Sequence, residues 1–154
     1  LLHILVDADA CPVKQEIYRV ARRYGLRVTL VANSWMRTPE SPSIHFQLVP
    51  EGPDAADDWI AEHAEPGDIV VTADIPLAAR AIKRGAAVIS PKGKPFTEQN
   101  IGATLATRDL LSDLRDLGAV TGGPPPLQNA DRSRFLQALD TAIQAAHRRP
   151  PAKA

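Results

Sequence analysis

The sequence predicts a single three-layer α/β domain: a mostly parallel, five-stranded sheet with helices on both faces. Two observations lead there. Apolar, β-branched runs at residues 3–8, 27–32, 44–49, 68–72 and 87–89 alternate with segments of helical periodicity, and strands separated by helices pair most readily in parallel. The chain has 154 residues, of which 44% are hydrophobic and 23% charged, enough to close one core without cross-links and far from a disordered composition.

The elements follow in order. His3 to Ala8 reads as the first strand, and Val13, Ile17, Val20, Ala21 and Tyr24 then recur at helical spacing behind Pro12, with Gly25 as the stop. Arg27 to Ala32 is the second strand, Asn33 to Ser43 a loop broken by Pro39 and Pro42, and Ile44 to Val49 a third strand suited to a sheet edge. Asp54 is expected to cap a short helix that runs to about Ala64 and ends at Pro66-Gly67. Asp68 to Thr72 forms the fourth strand, Pro76 to Arg84 a helix closed by Gly85, and Ala87 to Ile89 the fifth strand. Beyond Lys94 the pattern is helical, with one or two helices over Thr97 to Leu117 and a rigid Gly122-Gly123-Pro124-Pro125-Pro126 connector. Asp131 is expected to cap a last helix whose Phe135, Leu136, Leu139, Ala142, Ile143 and Ala146 form one apolar stripe. Residues 1–148 make the domain, and 149–154 a flexible C-terminal tail.

Composition narrows the function. No apolar run approaches the roughly 20 residues of a bilayer span, and the first strand begins too early for a signal peptide. Cys11 is the one cysteine, so an intrachain disulfide is excluded and a cytoplasmic location is expected. Lys plus Arg balances Asp plus Glu at 18 each, so no global field holds a polyanion. The charges are nevertheless segregated. Residues 51–68 carry only acids among their fully charged side chains, and residues 80–94 only Lys and Arg. Solvated helix faces and an acidic pocket with a basic flank both produce this pattern.

The junction Val6-Asp7-Ala8-Asp9 carries the most chemistry. Two carboxylates one residue apart at the end of a buried strand raise each other's pKa unless a cation or strong donors offset them. A helix cap plus an exposed turn residue would account for one Asp each, and a divalent cation for both. In an open parallel sheet the ligand crevice lies outside the carboxyl ends of the strands, which gathers Asp7, Asp9, Asn33, Ser34, Thr72, Asp74 and Lys92 on one edge. Asp74 also suits a cap for the helix at Pro76, and either Asp57 or Asp58 can point from its helix toward the other acids. Cys11, behind two acids, reads as a packed and inert thiol, and the four histidines have no zinc-site spacing. Trp35 and Met36 suit either base stacking or cover for the sheet edge, the second being preferred. Arg132 and Arg134 are expected to pair with local acids.

Asp7-Ala8-Asp9-Ala10-Cys11-Pro12-Val13-Lys14, Val31-Ala32-Asn33, Asp54-Ala55-Ala56-Asp57 and Thr72-Ala73-Asp74-Ile75-Pro76-Leu77-Ala78 resemble the bacterial YaiI/YqxD family, with further matches at Gly122-Gly123-Pro124 and Asp131-Arg132. That family is grouped with PIN-like domains, so the resemblance implies a parallel sheet carrying an acidic cluster that binds Mg²⁺ or Mn²⁺ for RNA cleavage. Carried onto this chain, it implies Asp7, Asp9, Asp57 and Asp74 as metal ligands, directly or through water, and Asp7, Asp9 and Asp74 as catalytic. Thr72 would orient Asp74 or a bound water. Lys14 and Lys92 would meet phosphate, although plain surface charge is the preferred reading of both, and Asn33 would meet a metal-bound water or a base. Lys92-Gly93-Lys94 stands where the family favours Arg-Gly after Pro91, and Leu127 where it favours an aromatic residue.

The expected function is a metal-dependent nuclease or phosphodiesterase acting on RNA or another phosphodiester, without membrane association. Two alternatives stand beside it. Asp-x-Asp after the first strand also fits an aspartyl-nucleophile phosphatase of the haloacid-dehalogenase type, although the later motifs fall in the wrong order. A non-catalytic RNA-binding or regulatory module would keep the acids for metal-dependent stability.

Overall fold

The computed structural model describes residues 2–50, 52, 54–103, 106 and 127–148. Five strands run in parallel: β1 (His3–Asp7), β2 (Arg27–Ala32), β3 (Ile44–Leu48), β4 (Ile69–Val71) and β5 (Ala87–Ile89). A sixth, β6 (Pro95–Phe96), returns antiparallel to β5, and the spatial order is β3-β2-β1-β4-β5-β6. The helices are α1 (Lys14–Tyr24), α2 (Ala55–His63), α3 (Ile75–Lys83), a helical segment α4 at 98–103, and α5 (Asn129–Arg148).

The side-chain period of two explains the layers. Along β1, Ile4 and Val6 point to one face and join Val28, Leu30, Ile17, Val20, Phe135, Leu139 and Ile143 beneath α1 and α5. Leu5 points to the other, with Val31, Val70 and Val88 against Ala56, Ile60, Leu77 and Ala81 of α2 and α3. Strands buried on both faces read as unbroken apolar runs, which is why β1, β2 and β4 were visible in the sequence. Each fully buried Ile, Leu or Phe contributes about 1.5–3 kcal/mol of burial energy, and Ile4, Leu5, Ile17, Ile60 and Phe135 all lie at 0% exposure. The architecture is the expected three-layer α/β domain.

Four local expectations are corrected. The sheet gains β6 because Pro91 and Gly93 (φ +87°) fold a tight hairpin after β5, in which Ser90 N–H donates to Lys94 O at 2.9 Å. A two-residue strand opened by proline carries no periodic signal. The helix behind Pro12 begins at Lys14, preceded by a 3-10 turn at Ala8–Ala10. Asp54 occupies the N-cap position of α2 without making a side-chain cap bond. Asp131 is the third residue of α5, and its carboxylate reaches back to accept from Gln128 N–H at 2.9 Å, the reverse arm of a capping box. The later part of the Thr97–Leu117 stretch, the Gly122–Pro126 connector and the tail at 149–154 lie outside the described residues. No described helix is long and apolar enough to cross a membrane.

Candidate functional site

The β1–α1 connection is short, so Asp7 leaves the sheet still half-buried while Asp9, on the 3-10 turn, is exposed. Asp7 Oδ2 accepts from the Thr72 hydroxyl at 3.0 Å, and that hydroxyl in turn accepts from Asp74 N–H at 3.0 Å. A buried threonine at the end of β4 thus ties the two acid-bearing loops together. Asp74 caps α3 as expected, with Oδ1 accepting from Leu77 N–H at 2.9 Å. Asp9 Oδ2 accepts from Asn33 N–H at 2.8 Å, which fixes the first loop to the end of β2.

Electrostatics separates Asp57 from Asp58. Asp58 pairs with Arg80 at 2.7 Å on an exposed surface. Asp57 is pushed up to about 6, first by burial and then by the charges of Asp74, Asp7 and Asp54, with Arg80 opposing. Asp7 is also raised, by burial foremost, against the Thr72 hydrogen bond, with Asp74 and Asp9 adding to the rise. Asp57 is therefore the residue of α2 that joins the acids: its carboxyl responds to the charges of Asp74 and Asp7, and Asp7 to that of Asp74, at the carboxyl edge of the sheet.

The order 3-2-1-4-5 of the parallel strands places β1 and β4 side by side, so the Asp7 and Asp74 loops sit together where ligand crevices form. The sequence pattern of the uncharacterised YaiI/YqxD family matches residues 5–145, which takes in every one of these acids. The chain belongs to the YaiI/YqxD family. A UPF0178 protein of Paramagnetospirillum magneticum is 59% identical over 148 residues, covering 96% of this chain and 98% of that one. A UPF0178 protein of Rhodopseudomonas palustris strain BisB18 is 61% identical over 145 residues, covering 94% of each chain. One from Bradyrhizobium sp. strain ORS 278 is 57% identical over 150 residues, covering 97% of this chain and 92% of that one.

In this YaiI/YqxD chain the remaining candidates divide. Lys14 folds over the Asp7–Asp9 turn, its Nζ donating to Ala8 O at 3.3 Å and lying 3.6 Å from Met36 Sδ. The Asn33 side-chain amide donates to Pro50 O at 3.0 Å and Gly52 O at 3.1 Å, so its N–H₂ is committed to the β3–α2 loop and only Oδ1 faces other partners. Lys92 sits in the β5–β6 hairpin, where its charge is felt by Asp131 at the start of α5. Cys11 is buried, and burial pushes its thiol up to about 11, as expected of an inert cysteine.

The donor set decides which metal the acids suit. Asp7, Asp57 and Asp74 offer hard carboxylate oxygens, and Cys11 is too high in pKa to serve as a thiolate. Among the described residues no three His, Cys, Asp or Glu side chains converge closely enough to cage an ion. Coupled but spaced acids fit a hard divalent cation that keeps most of its own water, such as Mg²⁺ or Mn²⁺, and do not fit a fully protein-caged one. None of the four acids Asp7, Asp9, Asp57 and Asp74 is fully buried, so solvent reaches this edge. Clefts of about 550 and 510 Å³ at the amino end of the sheet include no acid of this group.

Two features escaped sequence reasoning. Trp35 does not cover the sheet edge: it is 75% exposed, held between Asn33 and a Met36 that packs on the core. Arg132 does not pair locally. Its Nη1 donates to Pro12 O and Glu16 Oε1, both at 3.0 Å, which joins the start of α5 to the segment behind Asp9. Arg134 does pair locally, with Asp131. Residues separated by 116 positions give no spacing signal, although Asp131-Arg132 stood out as a motif.

Proposed function

We propose that this chain is a metal-dependent phosphodiesterase of nuclease type that acts on single-stranded RNA in the cytoplasm. One observation carries the reading: at the carboxyl edge of a parallel sheet the charges of Asp74 and Asp7 raise the cost of ionising Asp57, and those of Asp74 and Asp9 the cost of ionising Asp7. Burying acids together lowers stability unless a cation relieves them, so their joint placement argues for an ion in use. Mg²⁺ or Mn²⁺ held there would activate water and stabilise the leaving oxygen of a phosphodiester.

The chain's own residues then take defined roles. Asp7, Asp57 and Asp74 hold the ion, directly or through its waters, with Asp9 completing the charge. The Thr72 hydroxyl orients the Asp7 carboxylate through its 3.0 Å hydrogen bond. Lys14 and Lys92 steady phosphates as point charges. An open edge suits a chain-like substrate better than a small phosphomonoester, and the exposed Trp35 indole offers a base a stacking surface. The single buried thiol is compatible with a reducing compartment.

The test is cleavage of a labelled single-stranded RNA with Mn²⁺, with Mg²⁺ and with chelator. Metal-dependent cleavage is expected, reduced at least 100-fold in Asp7→Asn and Asp74→Asn proteins that remain folded. Trp35→Ala is expected to weaken RNA binding by roughly 5- to 100-fold, the range of one lost base stack. Cleavage that persists in both Asp variants, or no cleavage with either metal, would overturn the reading.

A further inference from the structure

The two edges of the sheet are finished differently. β6 is two residues long, begins with Pro95 and follows Lys94, all of which discourage pairing with another strand. β3 has none of these devices. Its sequence, Ile44-His45-Phe46-Gln47-Leu48, contains no Asp, Glu, Lys, Arg or Pro, and among the described residues it pairs on one side only. Its Leu48 is one of two large hydrophobic side chains that stay exposed among the described residues, at 53%.

The backbone of β3 is also ready to pair with itself. Val28 N–H donates to Ser43 O at 2.8 Å, and Val49 N–H donates to Ala32 O at 2.9 Å. Residues 43, 45, 47 and 49 therefore turn their main-chain groups toward β2, and alternation turns those of Phe46 and Leu48 outward. Ile44 ends the outward row, because its N–H already donates to Ser41 O at 3.2 Å and only its carbonyl is left to accept.

We propose that two copies of this chain join through β3, antiparallel, about a twofold axis at Phe46. In that register Phe46 and the partner's Phe46 exchange both main-chain hydrogen bonds. Leu48 N–H donates to the carbonyl of the partner's Ile44, and the reciprocal bond forms by symmetry. The row of outward groups is self-complementary: Leu48 O alone has no donor across the axis, and it already accepts from the Gln47 side-chain amide at 3.1 Å. Leu48 is covered by the partner's Ile44, which accounts for an exposed leucine on an uncharged edge. The two carboxyl edges then point in opposite directions, each acidic group complete within its own chain, so the assembly is independent of the chemistry proposed for that site.

Sedimentation velocity and amide hydrogen exchange on the intact protein test this. The expected mass is twice the 16.6 kDa of the chain, with the Phe46 and Leu48 amides protected and exchanging faster on dilution. Leu48→Pro removes an outward donor and leaves the β2 ladder its own bonds. It should weaken self-association roughly tenfold or more, with a cooperative unfolding transition retained. A monomer at micromolar concentration would overturn the proposal. So would a dimer in which the Phe46 and Leu48 amides exchange freely, because its interface would lie elsewhere.

Discussion

Asp57 and Asp58 are adjacent acids with opposite circumstances, and the difference comes from a single step of about 100° in helix phase. Asp58 finds Arg80 in solvent, whereas Asp57 is turned toward Asp7 and Asp74 and is pushed up to about 6. A carboxyl whose folded pKa lies above its unfolded value of about 3.9 binds its proton better in the folded state. Stability is then highest below that value and falls as pH rises toward 6, above which the whole cost is carried. Asp57→Asn should therefore be more stable than the parent protein at pH 7.5 without divalent ions. Allowing for solvent screening of a half-exposed group, the gain is about 1 kcal/mol. The difference should vanish near pH 4, as read from chemical unfolding at the two pH values. The choice between Asp57 and Asp58 was not legible in the sequence, because α2 is short and only its position above β1 and β2 settles its rotation. Asp7, Thr72 and Asp74 were legible, since each stands at or just beyond the carboxyl end of a strand and strand order alone brings them together.

Elements owe their positions to a few close approaches, and Gly93 is the tightest. A Cβ built there would lie 2.6 Å from Arg134 C and 2.7 Å from Phe135 N, at a φ of +87°. The hairpin that carries β6 and Lys92 is thus pressed against the backbone of α5, with no flexible side chain to yield. Gly93→Ala should cost about 3 kcal/mol, combining left-handed strain with displacement of the helix. Gly25→Ala is the control. It has a similar φ of +68° but nothing within 4 Å, so it should lose only about 1 kcal/mol. Thermal unfolding of the two variants checks the ranking, and an equal loss would show that the α5 contact is unimportant. The helices and parallel strands were readable because apolar period and Gly or Pro punctuation agree at each boundary. β6 was not, since a hairpin of two paired residues depends on Pro91, Gly93 and the helix that packs over them. The Arg132–Glu16 pair was equally hidden, because it exists only once α1 and α5 lie side by side.

At the scale of the whole molecule, an ion held by the acids as proposed would make folding stability and ion binding one equilibrium. Ions that bind the folded chain and ignore the unfolded one stabilise it by RT ln(1 + [L]/Kd), about 1.4 kcal/mol at ten times Kd. For a domain of this size that raises the unfolding midpoint by roughly 3–6 °C. Mg²⁺ or Mn²⁺ should produce such a shift at pH 7.5, and chelator should reverse it. The shift should shrink as pH falls through about 6, where Asp57 takes up its proton and competes with the ion. The two effects on Asp57 have opposite sign: acid stabilises the ion-free protein and weakens the ion's contribution, so curves with and without ion should converge at low pH. Asp7→Asn should lose most of the ion-induced shift, and Asp58→Asn, whose carboxylate belongs to Arg80, should keep it. A shift of equal size in the parent protein and in Asp7→Asn, or with NaCl at matched ionic strength, would reduce the effect to general screening of exposed acids. The Asp58 comparison is the sharper one, because it removes the same formal charge as Asp7→Asn from a carboxylate that already has Arg80 as its partner.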